Sequence, residues 1–146
     1  GKAWTYEGGI RIPTIISWSG KIQPSTTEAP IITMDMYPTL LELAGLPLKP
    51  EQHLDGRSLL PILNGASGEA DRVLAWTYPH VHGNGHQPSD AILSNDWKLI
   101  RFANNEPSEL YNLATDLGEQ TNVAAQHPEK VQSLEAVLDA WLKQTK

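Results

Sequence analysis

The sequence contains no cysteine, which excludes disulfides, zinc–thiolate sites and a cysteine nucleophile from its 146 residues. It has no apolar run long enough to cross a bilayer, because even Ile31–Ile32 and Leu40–Leu41 are interrupted within a few residues. It also has no run of Lys or Arg, and its 17 acidic residues outweigh 11 basic ones to give a net charge of −6. Proteins that wrap nucleic acid need the opposite balance. We therefore expect neither a nucleic-acid nor a membrane partner.

The overall composition is typical of a folded domain, with 40% hydrophobic and 19% charged residues. Residues 10–18 are short, β-branched and apolar, which predicts a buried strand of a mostly parallel sheet. Pro13 limits that strand to a start near Thr14, because proline cannot donate to a sheet. Asp35 is expected to cap a helix that runs to Ala44.

Beyond a predicted hinge at residues 66–71 the pattern changes. Strands are predicted at 72–78, 91–94, 97–102 and 109–113, and a helix at 128–142. Strands first and one long helix last indicate an antiparallel sheet with a helix packed on one face. We accordingly expect an α/β protein, α+β in this part, divided into residues 1–70, the incomplete edge of a larger α/β domain, and residues 71–146, a small subdomain.

The five tryptophans raise the possibility of a carbohydrate platform. Their positions in predicted strands and on the apolar face of the last helix favour a core role instead. A core role is expected for Trp18, Trp97 and Trp141, whereas the roles of Trp4 and Trp76 are left open.

Three groups of residues, in this order along the chain, resemble the sulfatase family. Residues 1–13 (GKAWTYEGGIRIP) match the pattern G-K-x-x-x-Y-E-G-G-x-R-x-P. Residues 35–45 (DMYPTLLELAG) and 55–59 (DGRSL) resemble a second stretch of that family. The third group, which resembles the run near a sulfatase C-terminus, is WKLI at 97–100, ELYNL at 109–113 and EQTNVA at 119–124.

The resemblance implies a type I sulfatase of the alkaline-phosphatase superfamily, arylsulfatase-like, which hydrolyses sulfate esters. Such enzymes use a formylglycine made within C/S-x-P-x-R and bind one calcium ion through Asp and Asn. None of the four arginines has a proline two residues before it, and the family's D-N-G metal motif would precede Gly1. We therefore expect a C-terminal portion, with nucleophile and calcium ligands outside this chain, no metal ligand within it and no activity by itself.

Lys2 is the residue for which the resemblance implies a catalytic contact, with the sulfate group. An ammonium group with three donors suits a sulfate ester, whose leaving oxygen gains negative charge in the transition state. Glu7-Gly8-Gly9 with Arg11 offers a turn and an ion pair. We interpret it as a scaffold that aims Lys2, because its spacing is not that of a P-loop.

The histidines of residues 80–86 (HVHGNGH) leave three interpretations open. His80, His82 and His86 could bind zinc, since alternate residues of a strand share a face. They could equally be solvated loop residues. The third interpretation follows the sulfatase resemblance: His80 and His82 contact the sugar or aryl part of the substrate, while the role of His86 is left open.

Two other functions remain as alternatives to the sulfatase. One is a phosphatase or phosphonate hydrolase of the same superfamily, and the other is a non-catalytic module that binds a glycan or anion or is purely structural. The family resemblance alone suggests a periplasmic or extracellular location. Residues 1–70 would expose apolar surface without a larger domain, so loose order or a homodimer is expected there.

Overall fold

The computed structural model describes residues 3–68, 71–83, 85, 87–104 and 106–145. Its helices are α1 (Glu7–Ile10), α2 (Met36–Leu43), α3 (Leu60–Leu63) and α4 (Pro128–Gln144), with 3-10 turns at Thr33–Asp35 and Ala124–Gln126. Its strands are β1 (Val73–Tyr78), β2 (Ser89–Ser94), β3 (Trp97–Phe102) and β4 (Glu109–Asn112). No helix among these residues is both long enough and apolar enough to span a bilayer.

The chain forms two compact units. One, the sheet unit, consists of Gly1–Pro13 and Asp71–Lys146, and the other consists of Thr14–Ala70. The units separate next to the predicted hinge. They differ from the predicted division at the first 13 residues, which group with the sheet rather than with residues 14–70.

The sheet has four antiparallel strands in the order β1-β2-β3-β4. The predicted strands and the predicted final helix are therefore confirmed, and every end lies within two residues of the predicted one. The β2–β3 turn holds Asn95 at φ 53, in the left-handed region that asparagine tolerates in tight hairpins. The predicted fold class for this part of the chain, an antiparallel sheet with a C-terminal helix, is correct.

The two faces of the sheet are covered by different parts of the chain. On one face Ile92, Leu99 and Leu110 pack against Leu134 and Leu138 of α4. Because side chains alternate along a strand, their neighbours point to the opposite face. There the buried cluster is Ala91, Ile100 and Tyr111, with Tyr6, Trp76, Phe102 and Leu113 packed against it.

The predicted strand near residues 14–18 is absent. Ile15 is 91% exposed and Trp18 is 44% exposed, so the expected core role of Trp18 is also wrong. A strand needs a neighbour to accept its backbone hydrogen bonds. The sheet formed by the described residues contains only β1 to β4, and it leaves residues 14–18 without such a neighbour.

The unit of residues 14–70 is organised around the buried carboxylate of Asp35. It accepts from the Ile32 amide and from the Arg57 amide, each at 2.9 Å. Asp35 occupies the predicted N-cap position of α2, which ends within one residue of its predicted end, but its side chain makes no cap hydrogen bond to that helix. Thr39 adds a second link, donating to the Asp35 carbonyl at 2.6 Å and accepting from the Leu59 amide at 2.8 Å.

Large apolar side chains are exposed in the same unit. They include Ile15, Trp18, Met34, Leu40, Leu46, Leu48 and Leu54. The expected apolar surface is therefore present on residues 14–70, and a homodimer formed through it stays a prediction.

Candidate functional site

The segment that follows Lys2 lies on the sheet face opposite α4. The Thr5 hydroxyl lies 2.9 Å from the Ser89 hydroxyl at the start of β2. The next residue, Tyr6, donates from its hydroxyl to the Glu109 carboxylate of β4 at 2.6 Å. Two consecutive residues therefore hold this segment to two different strands.

Glu7 holds the same segment to the strand between them. The Lys98 ammonium group of β3 donates to Glu7 Oε1 at 2.8 Å and lies 2.8 Å from Glu119 Oε1. The Lys98 side chain is fully buried, and a buried charge is tolerated when it is paired in this way. Arg11 approaches Glu7 from the solvent side, with 3.5 Å between Arg11 Nη1 and Glu7 Oε2. The ion pair expected between Glu7 and Arg11 is therefore present.

Glu119 closes this cluster from the loop that follows β4. Its other carboxylate oxygen, Oε2, accepts from the Glu7 amide at 2.6 Å. Its backbone has φ 52, which is unfavourable for a residue with a side chain. The Asp116 carboxylate shapes this loop by accepting from the Gln120 and Thr121 amides at 3.0 and 2.8 Å. We name Glu7, Lys98 and Glu119 the buried triad.

A tyrosine pair borders the triad. Tyr6 and Tyr111 both donate to Glu109 Oε2, at 2.6 and 2.9 Å, and their rings meet edge to face at 6.2 Å. Burial, followed by the hydrogen bond and negative charge of Glu109, raises the pKa of both hydroxyls well above the ordinary value. Both tyrosines therefore act as neutral donors rather than as bases near neutral pH.

Of the predicted site residues, the structure describes the histidines but not Lys2. Lys2 and His86 lie outside the described residues. His80 and His82 are exposed in the loop between β1 and β2, and the His80 ring stands perpendicular to that of Tyr78 with 5.6 Å between centroids. The roles predicted for Lys2, His80 and His82 stay predictions.

The residues that the structure describes do not fit a metal site. No three carboxylate, imidazole or thiol groups among them are grouped closely enough to hold an ion. Calcium chemistry is therefore not assigned to any described residue. The zinc interpretation of the histidine loop also requires His86, so it stays a prediction.

Sequence reasoning missed four residues of this site: Lys98, Glu109, Tyr111 and Glu119. The alternation of side chains along WKLI indicates that Lys98 is buried, because it places Lys98 on the same face of the strand as the apolar Ile100. A lysine at such a position needs a buried carboxylate partner. No local pattern indicates which carboxylates of the chain supply it.

Comparison with known proteins places these motifs in one family. The family model described as N-sulphoglucosamine sulphohydrolase, C-terminal, matches residues 1–146. A Formosa agariphila protein named Sulfatase is 36% identical over 158 residues, covering 97% of this chain and 28% of its own length. Arylsulfatase K of Gallus gallus is 36% identical over 140 residues, covering 91% of this chain and 26% of its own.

A solved structure agrees in fold. BT4656, in complex with its substrate D-glucosamine-2-N,6-O-disulfate, superposes with a TM-score of 0.60 at 29% identity, over 75% of this chain and 23% of that one. The fold and the motif segments thus define a sulfatase C-terminal region of the alkaline-phosphatase-like class. The chain belongs to the N-sulphoglucosamine sulphohydrolase C-terminal family. It spans 28% and 26% of the length of the two relatives above.

Proposed function

We propose that this chain is the C-terminal portion of an enzyme that hydrolyses sulfate esters. The observation that carries the proposal is the match of residues 1–146 to a sulfatase C-terminal family. Sulfated glycans and aryl sulfates are the proposed substrates. A similar protein was solved with a disulfated glucosamine as its substrate, and another relative is named an arylsulfatase. A periplasmic or extracellular location belongs to the same proposal.

In the proposed reaction water cleaves the ester to an alcohol and inorganic sulfate. The formylglycine nucleophile and the calcium ligands come from residues outside this chain, so the isolated chain is expected to be inactive. Lys2 contributes a cation that donates to a sulfate oxygen and stabilises the charge that builds up there. The sheet unit contributes the surface that holds the segment next to Lys2, through Tyr6 and Glu7.

His80 and His82 are proposed to contact the alcohol part of the substrate. Both side chains are exposed in a loop at the end of β1, where a ligand can reach them. Imidazoles can donate to or accept from sugar hydroxyls near neutral pH. We expect their replacement to weaken substrate binding more than turnover.

The test is an activity assay on the protein expressed from the gene together with the coding sequence upstream of Gly1. With calcium present, 4-nitrophenyl sulfate or glucosamine 6-sulfate should be hydrolysed in preference to 4-nitrophenyl phosphate. Lys2→Ala should lower kcat/KM by about tenfold or more, whereas the exposed control Lys21→Ala should not. His80→Ala and His82→Ala should raise KM, and Gln87→Ala in the same loop serves as their control.

Two results would overturn the proposal. Preferential hydrolysis of the phosphate ester would favour a phosphatase or phosphonate hydrolase. Binding of a sulfated glycan without hydrolysis of any ester would favour the non-catalytic module. Turnover by the isolated chain would contradict the assignment of the nucleophile to residues outside it.

A further inference from the structure

The buried triad is unusual in what it connects. Lys98 comes from the centre of the sheet, Glu119 from the loop after β4, and Glu7 from the segment that begins at Lys2. The carboxylate of Glu119 binds both the Lys98 ammonium group and the backbone amide of Glu7. The triad therefore fixes the Glu7 main chain as well as its side chain.

We propose that Lys98 is a positioning residue for the sulfate contact made by Lys2. Held between two carboxylates, its ammonium group sets where the segment that follows Lys2 lies on the sheet. This inference rests on the proposed function, and Lys98 acts through Glu7 rather than on the substrate.

Charge repulsion explains why the position depends on Lys98. Without its ammonium group, the carboxylates of Glu7 and Glu119 would face each other in a buried site, where like charges are poorly screened. Uptake of a proton by one carboxylate relieves part of that repulsion, and movement of the segment away from the loop relieves the rest. Lys2 lies five residues before Glu7, so such a movement is passed on to it through a short length of chain.

Apolar packing alone would not require a triad at this place. Tyr6 already packs against the cluster of Ala91, Ile100 and Tyr111 and thereby attaches the segment to the sheet. Neutral side chains of similar volume often replace a buried ion pair without loss of stability. What the charges add is a direction and a fixed distance, and a catalytic cation needs both, since a misplacement of about 1 Å can cost about 100-fold in rate.

The first experiment measures the position of the segment in the isolated chain. Lys98→Met removes the charge, and the triple variant Glu7→Gln/Lys98→Met/Glu119→Gln removes all three charges and remains usable if the single variant fails to fold. Hydrogen exchange of the Glu7, Gly9 and Arg11 amides should accelerate about tenfold or more in Lys98→Met, through repulsion, and in the triple variant, through loss of the ion pairs that fix the segment, while the β2–β3 amides keep their protection. Lys143→Met, on the exposed end of α4, is the charge-matched control.

The second experiment measures kinetics in the protein that includes the upstream sequence. Lys98→Met and the triple variant should each lower kcat for the sulfate ester by about 10- to 100-fold with KM within about threefold, whereas Lys98→Arg, which keeps the charge, should lower kcat less. Unchanged exchange in the segment would overturn the proposal. Faster exchange with unchanged kcat would overturn it too.

These results separate the two levels of inference. If the wild-type protein hydrolyses no sulfate ester, the proposed function fails and the positioning role fails with it, whatever the exchange rates are. If the wild type is active and the triad variants show the same exchange rates and kcat as the wild type, the positioning role fails and the proposed function stands.

Discussion

Lys98 and Glu7 are 91 residues apart in the sequence, and the Lys98 ammonium group donates to the Glu7 carboxylate at 2.8 Å in a buried site. Removal of one member of such a cluster leaves uncompensated charge, which typically costs about 3–5 kcal/mol. We therefore expect Lys98→Met to lower the free energy of unfolding of the sheet unit by about that amount. Urea unfolding followed by tryptophan fluorescence measures the change.

The same reasoning predicts that neutralising the whole triad restores most of that loss. Glu7→Gln/Lys98→Met/Glu119→Gln should be more stable than Lys98→Met alone, because no unpaired charge remains buried. Lys143→Met should change stability by no more than about 0.5 kcal/mol, as exposed substitutions usually do. A triple variant less stable than the single variant would contradict the electrostatic explanation.

The tyrosine pair predicts a loss of stability at high pH. A tyrosine ionises near pH 10 in the unfolded chain, whereas the folded pKa values of Tyr6 and Tyr111 are raised. A raised folded-state pKa means that the stabilisation is complete below about pH 10 and declines as the pH rises from there toward the folded value. Thermal unfolding temperatures measured from about pH 8 to 12 should therefore fall above about pH 10.

Tyrosine variants test whether this pair is responsible. Tyr6→Phe/Tyr111→Phe should be less stable near neutral pH, because Glu109 loses both of its donors, but its stability should depend less on pH above about 10. Tyr37→Phe, at an exposed hydroxyl, should keep the wild-type pH dependence. Parallel profiles for the wild type and the double variant would contradict this account.

Replacement of Asp35 should destabilise the unit of residues 14–70. Asp35→Ala leaves the Ile32 and Arg57 amides without their carboxylate acceptor, at a cost of about 1–3 kcal/mol for each. Hydrogen exchange of these two amides, measured by NMR, should accelerate strongly. The neighbouring exposed carboxylate supplies the control, Asp55→Ala, which should leave both exchange rates near those of the wild type.

A side chain at Gly56, in the same unit, should clash with the backbone and destabilise the unit. A Cβ atom at Gly56 would overlap the Met34 carbonyl, which belongs to the backbone and cannot rotate away. We expect Gly56→Ala to destabilise residues 14–70 by about 1–3 kcal/mol, the usual cost of overpacking. Thermal unfolding measures the change. Gly83→Ala, which adds its Cβ to open space, is the control and should leave the unfolding temperature nearly unchanged.

The elements that the sequence pattern predicted are those whose signals are local. The β2–β3 hairpin carries its turn in Asn95-Asp96, and α4 repeats its apolar residues every three to four positions, which defines the face that packs on the sheet. Both patterns indicate their structure without reference to distant residues. These elements form as predicted.

What the pattern did not predict depends on distant partners. Residues 14–18 have the composition of a buried strand, but a strand also requires a neighbouring strand. Asp35 has the position of a helix cap, yet its carboxylate serves Arg57, which lies 22 residues away. Lys98 lies on a face that the alternation defines, whereas the residues that cover that face come from the start of the chain. Pairing over such separations leaves no signal in a short window of sequence.

The covering of the second sheet face has a consequence for folding during synthesis. Residues 3–11 leave the ribosome before the strands of the sheet, and Glu7 must wait for Lys98, 91 residues later, and for Glu119, 112 residues later. Until then Tyr6 has no cluster to enter. Contacts that span such long stretches of chain form slowly, so this early segment remains accessible to chaperones and proteases for most of the time the ribosome takes to complete the domain.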